Sequence, residues 1–231
     1  MTLAIIVPTY NEALNLPHLV PRIRAAAPDA RILVVDDGSP DGTSAVANDL
    51  GVEVLDRSTK SGRGGAVLAG LLKAREDAEV DWFLEMDADL SHQPEEIDRL
   101  IGASQGADMV VGSRYLRTAG IEGWSWRRKV WSRMSNRMIR TVLGVPMSDF
   151  TNGFRLYSRR AVDHLAGTRL RETGYISLSE WAYSLHRAGL EIREVPTTFI
   201  NRRLGTSNMS AGEAVNALRG LIRMRRGLRD T

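Results

Sequence analysis

Asp87 and Asp89, in "EMDADLSH" (85–92), are two carboxylates separated by one small residue where an apolar run stops. Side chains at i and i+2 of an extended segment point the same way, so the two acids converge. Like charges at that separation favour a cation between them. The chain has no cysteine, and His92 is the one imidazole nearby. Oxygen donors select a hard ion, Mg²⁺ or Mn²⁺. Magnesium keeps several waters and takes one or two carboxylates plus substrate phosphates. An ion on Asp87 and Asp89 therefore implies a phosphorylated ligand. Two solvated acids at a strand end account for the same residues without any ion.

Other segments offer complementary chemistry. In "VVDDGSPDGT" (34–43), Asp36 can accept hydrogen bonds from a base or ribose, while Asp37 fits plain turn chemistry beside Gly38, Pro40, Asp41 and Gly42. "KSGRGGAVLAG" (60–70) sets Lys60 and Arg63 beside glycine amides, a setting suited to an anion. It fails the dinucleotide fingerprint at Val67, and it fails the P-loop pattern at Leu71 and Leu72. "GSRY" (112–115) places Arg114 just after an apolar strand, where a guanidinium can grip phosphate through two hydrogen bonds. Asp149 and Arg155 flank the turn in "SDFTNGFRLY", and Arg202 and Arg203 precede a glycine in "NRRLGTSN". Each of these charges also fits an ordinary surface ion pair.

The elements that position them follow from hydrophobic pattern. Apolar runs at 3–10, 31–37, 52–57, 80–87 and 107–115 predict strands. Segments 15–27, 42–50, 64–76 and 94–103 predict helices, the last opened by Pro94 with Glu95 and Glu96. This alternation predicts an α/β fold with a mostly parallel central sheet and helices on both faces. Ligands bind beyond the carboxyl ends of such strands, where "TYNE", "DDGSPDG", "DADLSH" and "GSRY" all fall. After about residue 120 the rhythm changes. Helix 126–144 carries Trp131, Met134, Met138 and Val142 in one stripe, with Lys129, Arg133, Arg137 and Arg140 on the other face. Further helices at 179–188 and 211–226 flank a strand-like 190–200, and Arg219, Arg223 and Arg226 line one side of the last helix. One domain over 1–231 is expected, with a nucleotide-binding half (about 1–120) and an acceptor half (about 121–231) carrying basic amphipathic helices.

Composition narrows the class. At 231 residues, 43% hydrophobic and 26% charged, the chain suits a globular domain with an ample core. The lack of cysteine excludes disulfides, thiolate catalysis and zinc–sulfur sites, and fits a cytosolic setting. No run reaches the length of a membrane span, and the N-terminus reads as a first strand rather than a signal peptide. Net charge is only +3, but acids dominate 76–98 while 114–140 and 219–229 are basic. That asymmetry points to an anionic partner.

Together, "IIVPTYNEALNLP", "VVDDGSPDGT", "GRGGAVLAG", "EMDADLSH", "VVGSRY", "WRRKVWS", "DFTNGFRLY" and "EVPTTFINRRLGTS" stand in the order found in inverting family 2 glycosyltransferases of the GT-A fold. The resemblance spans about 3–210 and is closest to the polyprenyl-phosphate (dolichyl-phosphate) mannose synthases. It implies that Pro8, Tyr10, Glu12, Asp36 and Asp87 hold the nucleotide. It implies further that Asp87 and Asp89, joined by Ser91, hold Mg²⁺ or Mn²⁺ on the diphosphate. Arg114, Arg128 and Arg202 would meet the sugar diphosphate or acceptor phosphate, and Asp149 would sit near the sugar, with Asp89, Arg114, Asp149 and Arg202 the catalytic set. Three departures stand out. The family's Gly-Tyr-x-Phe-Gln-x-Glu reads "GYISLSE", keeping Gly174, Tyr175 and Glu180; its late lysine is Asn208; and no membrane helix follows, as in compact members.

The resemblance implies transfer of mannose from GDP-mannose to a polyprenyl monophosphate. Such a phosphate has a second pKa of about 6 and is a ready nucleophile, so no general base is required, in keeping with the absence of a Q-x-x-R-W segment. A membrane surface becomes a partner, reached by the basic helices and by Trp124, Trp126 and Trp131. A peripheral enzyme at the cytoplasmic face of the membrane, with or without a membrane-anchored partner protein, is the expectation. Two other readings stay open. One is a related transferase using UDP-glucose or another sugar nucleotide, with a phosphate or a hydroxyl acceptor. The other is a nucleic-acid-binding module, disfavoured because bare acidic strand ends repel phosphate and no nucleic-acid motif is present.

Overall fold

The computed structural model describes residues 1–57, 62–171, 174, 176–201 and 220–221. Five strands fall where the apolar runs predict them: β1 (Leu3–Thr9), β2 (Arg31–Asp36), β3 (Glu53–Asp56), β4 (Trp82–Glu85) and β5 (Met109–Ser113). The helices between them are α1 (Leu16–Ala26), α2 (Thr43–Asp49), α3 (Gly62–Arg75) and α4 (Ile97–Gly102), the last preceded by a 3₁₀ turn at Pro94–Glu96. Then come β6 (Gly120–Glu122), α5 (Trp126–Leu143), β7 (Arg155–Ser158), α6 (Arg159–Gly167), α7 (Ser177–Arg187), β8 (Ile192–Pro196) and β9 (Thr198–Ile200). Of the expected helix at 211–226, only Gly220 and Leu221 are described; they are helical, and Leu221 is buried.

Seven strands form the main sheet in the order β3-β2-β1-β4-β7-β5-β8, and β6 pairs with β9 in a small second sheet. All main-sheet pairs are parallel except those of β7, which runs antiparallel to both β4 and β5. Period-2 alternation divides β1 between two cores. Leu3, Ile5 and Val7 pack with α1 and α4, while Ala4 and Ile6 pack with α3, α6 and α7. A Cβ on Gly70 would lie 2.6 Å from Ile6 Cγ2 and 2.7 Å from Val35 Cγ2. Its absence lets α3 lie directly on β1 and β2, bringing the helix's first residues to the carboxyl edge of the sheet.

The long basic helix packs on a narrow face that is neither the apolar stripe nor the arginine row. Its buried residues are Asn136, Ile139 and Leu143, while Trp131, Met134 and Met138 face outward. Polar anchoring explains the orientation: the Asn136 side chain accepts from Phe150 N–H (2.6 Å) and donates to the Ser132 carbonyl (2.9 Å). That fixes the helix against the turn at 149–152 and leaves Trp131, Met134 and Met138 exposed, while Val142 at the far end of the stripe packs on the core.

Candidate active site

The cleft lies beyond the carboxyl ends of β1, β2 and β4, lined by Pro8, Tyr10, Glu12, Asp37, Arg63, Asp87 and Asp89 among others. Two turns form one wall. Asn11 N–H donates to Ser39 Oγ (2.9 Å), Glu12 N–H to Thr43 Oγ1 (3.0 Å) and Ala13 N–H to Asp41 Oδ2 (3.1 Å). Burial pushes the Asp41 carboxyl up, but hydrogen bonds from Thr43 and Ala13 outweigh it and hold the group below its ordinary range. Pro8, Tyr10 and Glu12 line the cleft. Asp36 does not line it. Its carboxylate is turned inward onto Thr9 Oγ1 (2.8 Å), Ser39 N–H (2.8 Å) and Ser39 Oγ (2.5 Å), and the neighbouring Asp37 reaches the cleft in its place. Asp37 in turn accepts from Arg57 Nη1 (2.9 Å) and Gly62 N–H (3.0 Å).

β4 ends at Glu85, so Asp87 and Asp89 lie in the bend after the strand rather than along it. Both line the cleft from that bend, in which Leu90 adopts a left-handed backbone with φ 62°. His92, which sequence reasoning gave no role, braces the bend. Its Nδ1 accepts from Asp87 N–H (3.0 Å), and Nε2 lies 2.8 Å from Asn152 Oδ1. Asn152 donates its amide to the Gly112 carbonyl (2.6 Å), so its oxygen accepts and the imidazole carries its proton on Nε2. The ring is buried and stacks on Phe154 at 5.2 Å.

Asp89 is nearly buried and accepts from Ser91 N–H (3.1 Å). Ser91 Oγ is buried without a hydrogen-bond partner. An orphaned hydroxyl beside a carboxylate pair suits an ion's ligand or its bound water. Among the described residues no group of three or more His, Cys, Asp or Glu is arranged to hold a metal. The donor set of Asp87, Asp89 and Ser91 thus fits an ion whose remaining positions are filled by water and a phosphorylated ligand.

Arg114 and Asp149 are not among the residues that line this cleft; they are buried at the end of β5 and bind each other. Arg114 Nε donates to Asp149 Oδ2 (2.7 Å), Nη2 donates to Oδ1 (2.8 Å) and to Thr151 Oγ1 (2.6 Å), and both residues are buried. Burial alone would raise the Asp149 pKa, but the guanidinium and the amides of Arg114 and Thr151 hold it below the ordinary value. Burial likewise opposes the Arg114 charge, and Asp149 reverses that and pushes its pKa up. Trp124 joins Arg114 to Arg128: its ring lies 5.5 Å from the Arg114 guanidinium carbon and 3.9 Å from that of Arg128. Arg202 lies outside the described residues, as do Lys60, Arg203, Asn208 and Tyr175. Arg155 is a structural residue, fully buried and donating to the carbonyls of Phe150, Asn152 and Leu178.

The cleft thus gathers residues from the ends of β1, β2 and β4, an acidic pair in a bend that His92 braces, and Arg63. Over residues 4–166 the chain matches the family model for glycosyl transferase family 2. The chain belongs to that family. Among its relatives, this glycosyltransferase is 41% identical over 229 residues to polyprenol monophosphomannose synthase of Mycolicibacterium smegmatis, covering 93% of this chain and 83% of the relative. It is 40% identical over 239 residues to undecaprenyl-phosphate mannosyltransferase of Micrococcus luteus, covering 99% and 98%. Its fold is that of the GT-A glycosyltransferases. Glucosyl-3-phosphoglycerate synthase of Mycobacterium tuberculosis superposes with a TM-score of 0.70 in its complex with uridine diphosphate, at 20% identity, covering 97% of this chain and 80% of that one. The same enzyme in complex with Mn²⁺ and UDP-glucose gives 0.68, at 20% identity, covering 96% and 77%.

Proposed function

We propose that this family 2 glycosyltransferase transfers mannose from GDP-mannose to a polyprenyl monophosphate with inversion. The observation that carries the reading on the acceptor side is the Arg114–Asp149 pair. Both oxygens of that carboxylate are held by a guanidinium, so Asp149 is poorly suited to take a proton from an alcohol. An acceptor phosphate, already ionised, has no such requirement. The two relatives that share 40–41% identity over nearly the whole chain are both named for mannosyl transfer to a polyprenol phosphate, which supports mannose as the transferred sugar and a polyprenyl phosphate as the acceptor.

In this scheme the GDP-mannose nucleotide lies against Pro8, Tyr10, Glu12 and Asp37, and the diphosphate points to Asp87 and Asp89. Those carboxylates, with Ser91, would hold Mg²⁺ or Mn²⁺, which neutralises the charge that builds on the leaving diphosphate. An oxygen of the acceptor phosphate attacks the anomeric carbon from the face opposite the diphosphate. The bond to the nucleotide's terminal phosphate breaks and GDP leaves. Arg114, Arg128 and Arg202 steady the phosphates on either side of that carbon. Among the described residues no helix is long and apolar enough to cross a membrane, so a lipid acceptor is met at the bilayer surface. A peripheral position on the cytoplasmic face, alone or with a membrane-anchored partner protein, completes the reading.

The experiment is a matrix of GDP- and UDP-sugars against polyprenyl phosphate and the free polyprenol, each with Mg²⁺ and Mn²⁺. Transfer from GDP-mannose to the phosphate, at least about tenfold faster than to the alcohol, is expected. Faster transfer to the alcohol, or from a UDP-sugar, overturns the assignment and favours a hydroxyl-acceptor transferase.

A further inference from the structure

The acidic pair already has a cation of the protein's own. Arg63, second residue of α3, donates from Nε (2.8 Å) and Nη2 (2.6 Å) to Oδ1 of Asp87, and from Nη1 (2.5 Å) to Oε1 of Glu85. Glu85 is fully buried at the end of β4, and its other oxygen accepts from Tyr157 Oη (3.0 Å). Room for the guanidinium is made by Gly153, where a Cβ would stand 1.9 Å from Arg63 Nη2. A helix terminus, a strand end and a loop thus converge to place one arginine beside the first carboxylate of the proposed metal site. Arg63 and Asp87 line the same cleft.

Resting on the metal and diphosphate reading above, we propose that Arg63 is a positioning residue that makes metal binding depend on the donor. Its charge and its hold on Asp87 Oδ1 oppose a divalent ion arriving alone. A donor diphosphate brings enough negative charge to accommodate both cations, so ion and nucleotide enter together. Coupling of this kind is reciprocal: whatever factor the nucleotide adds to metal affinity, the metal adds to nucleotide affinity.

The test is titration of the purified protein with Mn²⁺ alone, GDP alone, and each in the presence of the other, by calorimetry and by the spin-resonance signal of free Mn²⁺. R63L alone strands the buried Glu85 charge, so the informative variant is R63L/E85L, which replaces the pair by apolar side chains and leaves net charge unchanged. E85L, which keeps Arg63 on Asp87, is the control, and thermal unfolding verifies that each variant is folded. Wild type and E85L should bind Mn²⁺ at least about fivefold more tightly with GDP than without. In R63L/E85L, Mn²⁺ alone should bind several-fold more tightly and the coupling factor should fall correspondingly. Unchanged or weaker binding of Mn²⁺ alone by R63L/E85L overturns the proposal. If instead D89N leaves Mn²⁺ binding with GDP intact, the metal reading itself fails, and the two failures are told apart.

Discussion

Arg114 and Asp149 meet edge to edge, Nε on Oδ2 at 2.7 Å and Nη2 on Oδ1 at 2.8 Å, with both side chains buried. The pair joins the end of β5 to the loop after α5, and Glu194 of β8 holds that loop by accepting from Ser148 N–H (2.8 Å) and Asp149 N–H (3.0 Å). The loop after α5 is therefore held by a charged network.

Asp149 is held below its ordinary pKa of 3.8. A depressed carboxylate contributes stability that is complete above the unfolded value and is lost as pH falls through the folded one. Asp149→Asn leaves a buried guanidinium without its counter-charge and should cost about 3–5 kcal/mol at pH 7. Below about pH 4 wild type should lose its advantage, so the two unfolding curves approach each other. Denaturant unfolding of both proteins from pH 7 to pH 2 measures this. A gap that stays constant over the range would show that the charge of Asp149 is not what stabilises this network.

Asp89→Asn preserves the shape that accepts from Ser91 N–H while removing the charge. Transfer should fall by at least about 10²-fold, with the thermal midpoint nearly unchanged, because the lost group faces the cleft. Activity at limiting Mg²⁺ or Mn²⁺ together with a melting curve decides the matter. Wild-type turnover in the variant would remove Asp89 from the metal site.

His92 offers a test of how the bend is held. His92→Phe keeps the stacking partner of Phe154 but leaves Asp87 N–H and Asn152 Oδ1 without their contacts, at a cost of about 1–3 kcal/mol. Nucleotide affinity in the presence of Mn²⁺ should weaken in parallel. A destabilised variant that binds Mn²⁺ and GDP as wild type does would make His92 a folding residue only.

What the sequence disclosed and what it hid have physical reasons. The strands β1, β2, β4 and β5 were legible because buried parallel strands are continuous apolar runs, and their loops carried the nucleotide-side and metal-side residues with them. β7 was not. "RLYS" is short, begins with an arginine and pairs antiparallel between two parallel neighbours, so neither length nor rhythm marked it. α6 follows it directly and was hidden by the same turn-rich stretch. That Asp36 turns inward onto Thr9 and Ser39 while Asp37 lines the cleft was not legible, because adjacent side chains at a strand end point to opposite sides and the Ser39 turn decides which is which. Arg63 was read as a generic anion site; its bond to Glu85 spans 22 positions and leaves no local pattern.

The apolar stripe of α5 was likewise visible, but periodicity does not say whether a stripe faces a core or a different medium. Here Trp126 and Trp131 are each 70% exposed, and Val130, Met134 and Met138 lie exposed on the same helix, with Arg127, Arg133, Arg137 and Arg140 also exposed along it. Aromatic and aliphatic side chains edged by arginines are what an interfacial helix presents to an anionic bilayer. The helix begins at Trp126, two residues before Arg128, so a bilayer touching this stripe would lie near Arg128 and the Trp124 ring it shares with Arg114. Trp126→Ser with Trp131→Ser should reduce sedimentation with anionic liposomes by at least about tenfold, while leaving thermal stability unchanged because neither side chain is packed. Wild-type binding should weaken as salt rises through the range where the screening length falls below about 10 Å. Transfer to a short, water-soluble polyprenyl phosphate should be retained by the double variant, and transfer to a long-chain acceptor in liposomes should be lost. Equal loss on both acceptors would place the two tryptophans in the acceptor site itself, and undiminished liposome binding would assign the membrane contact to another face of the enzyme.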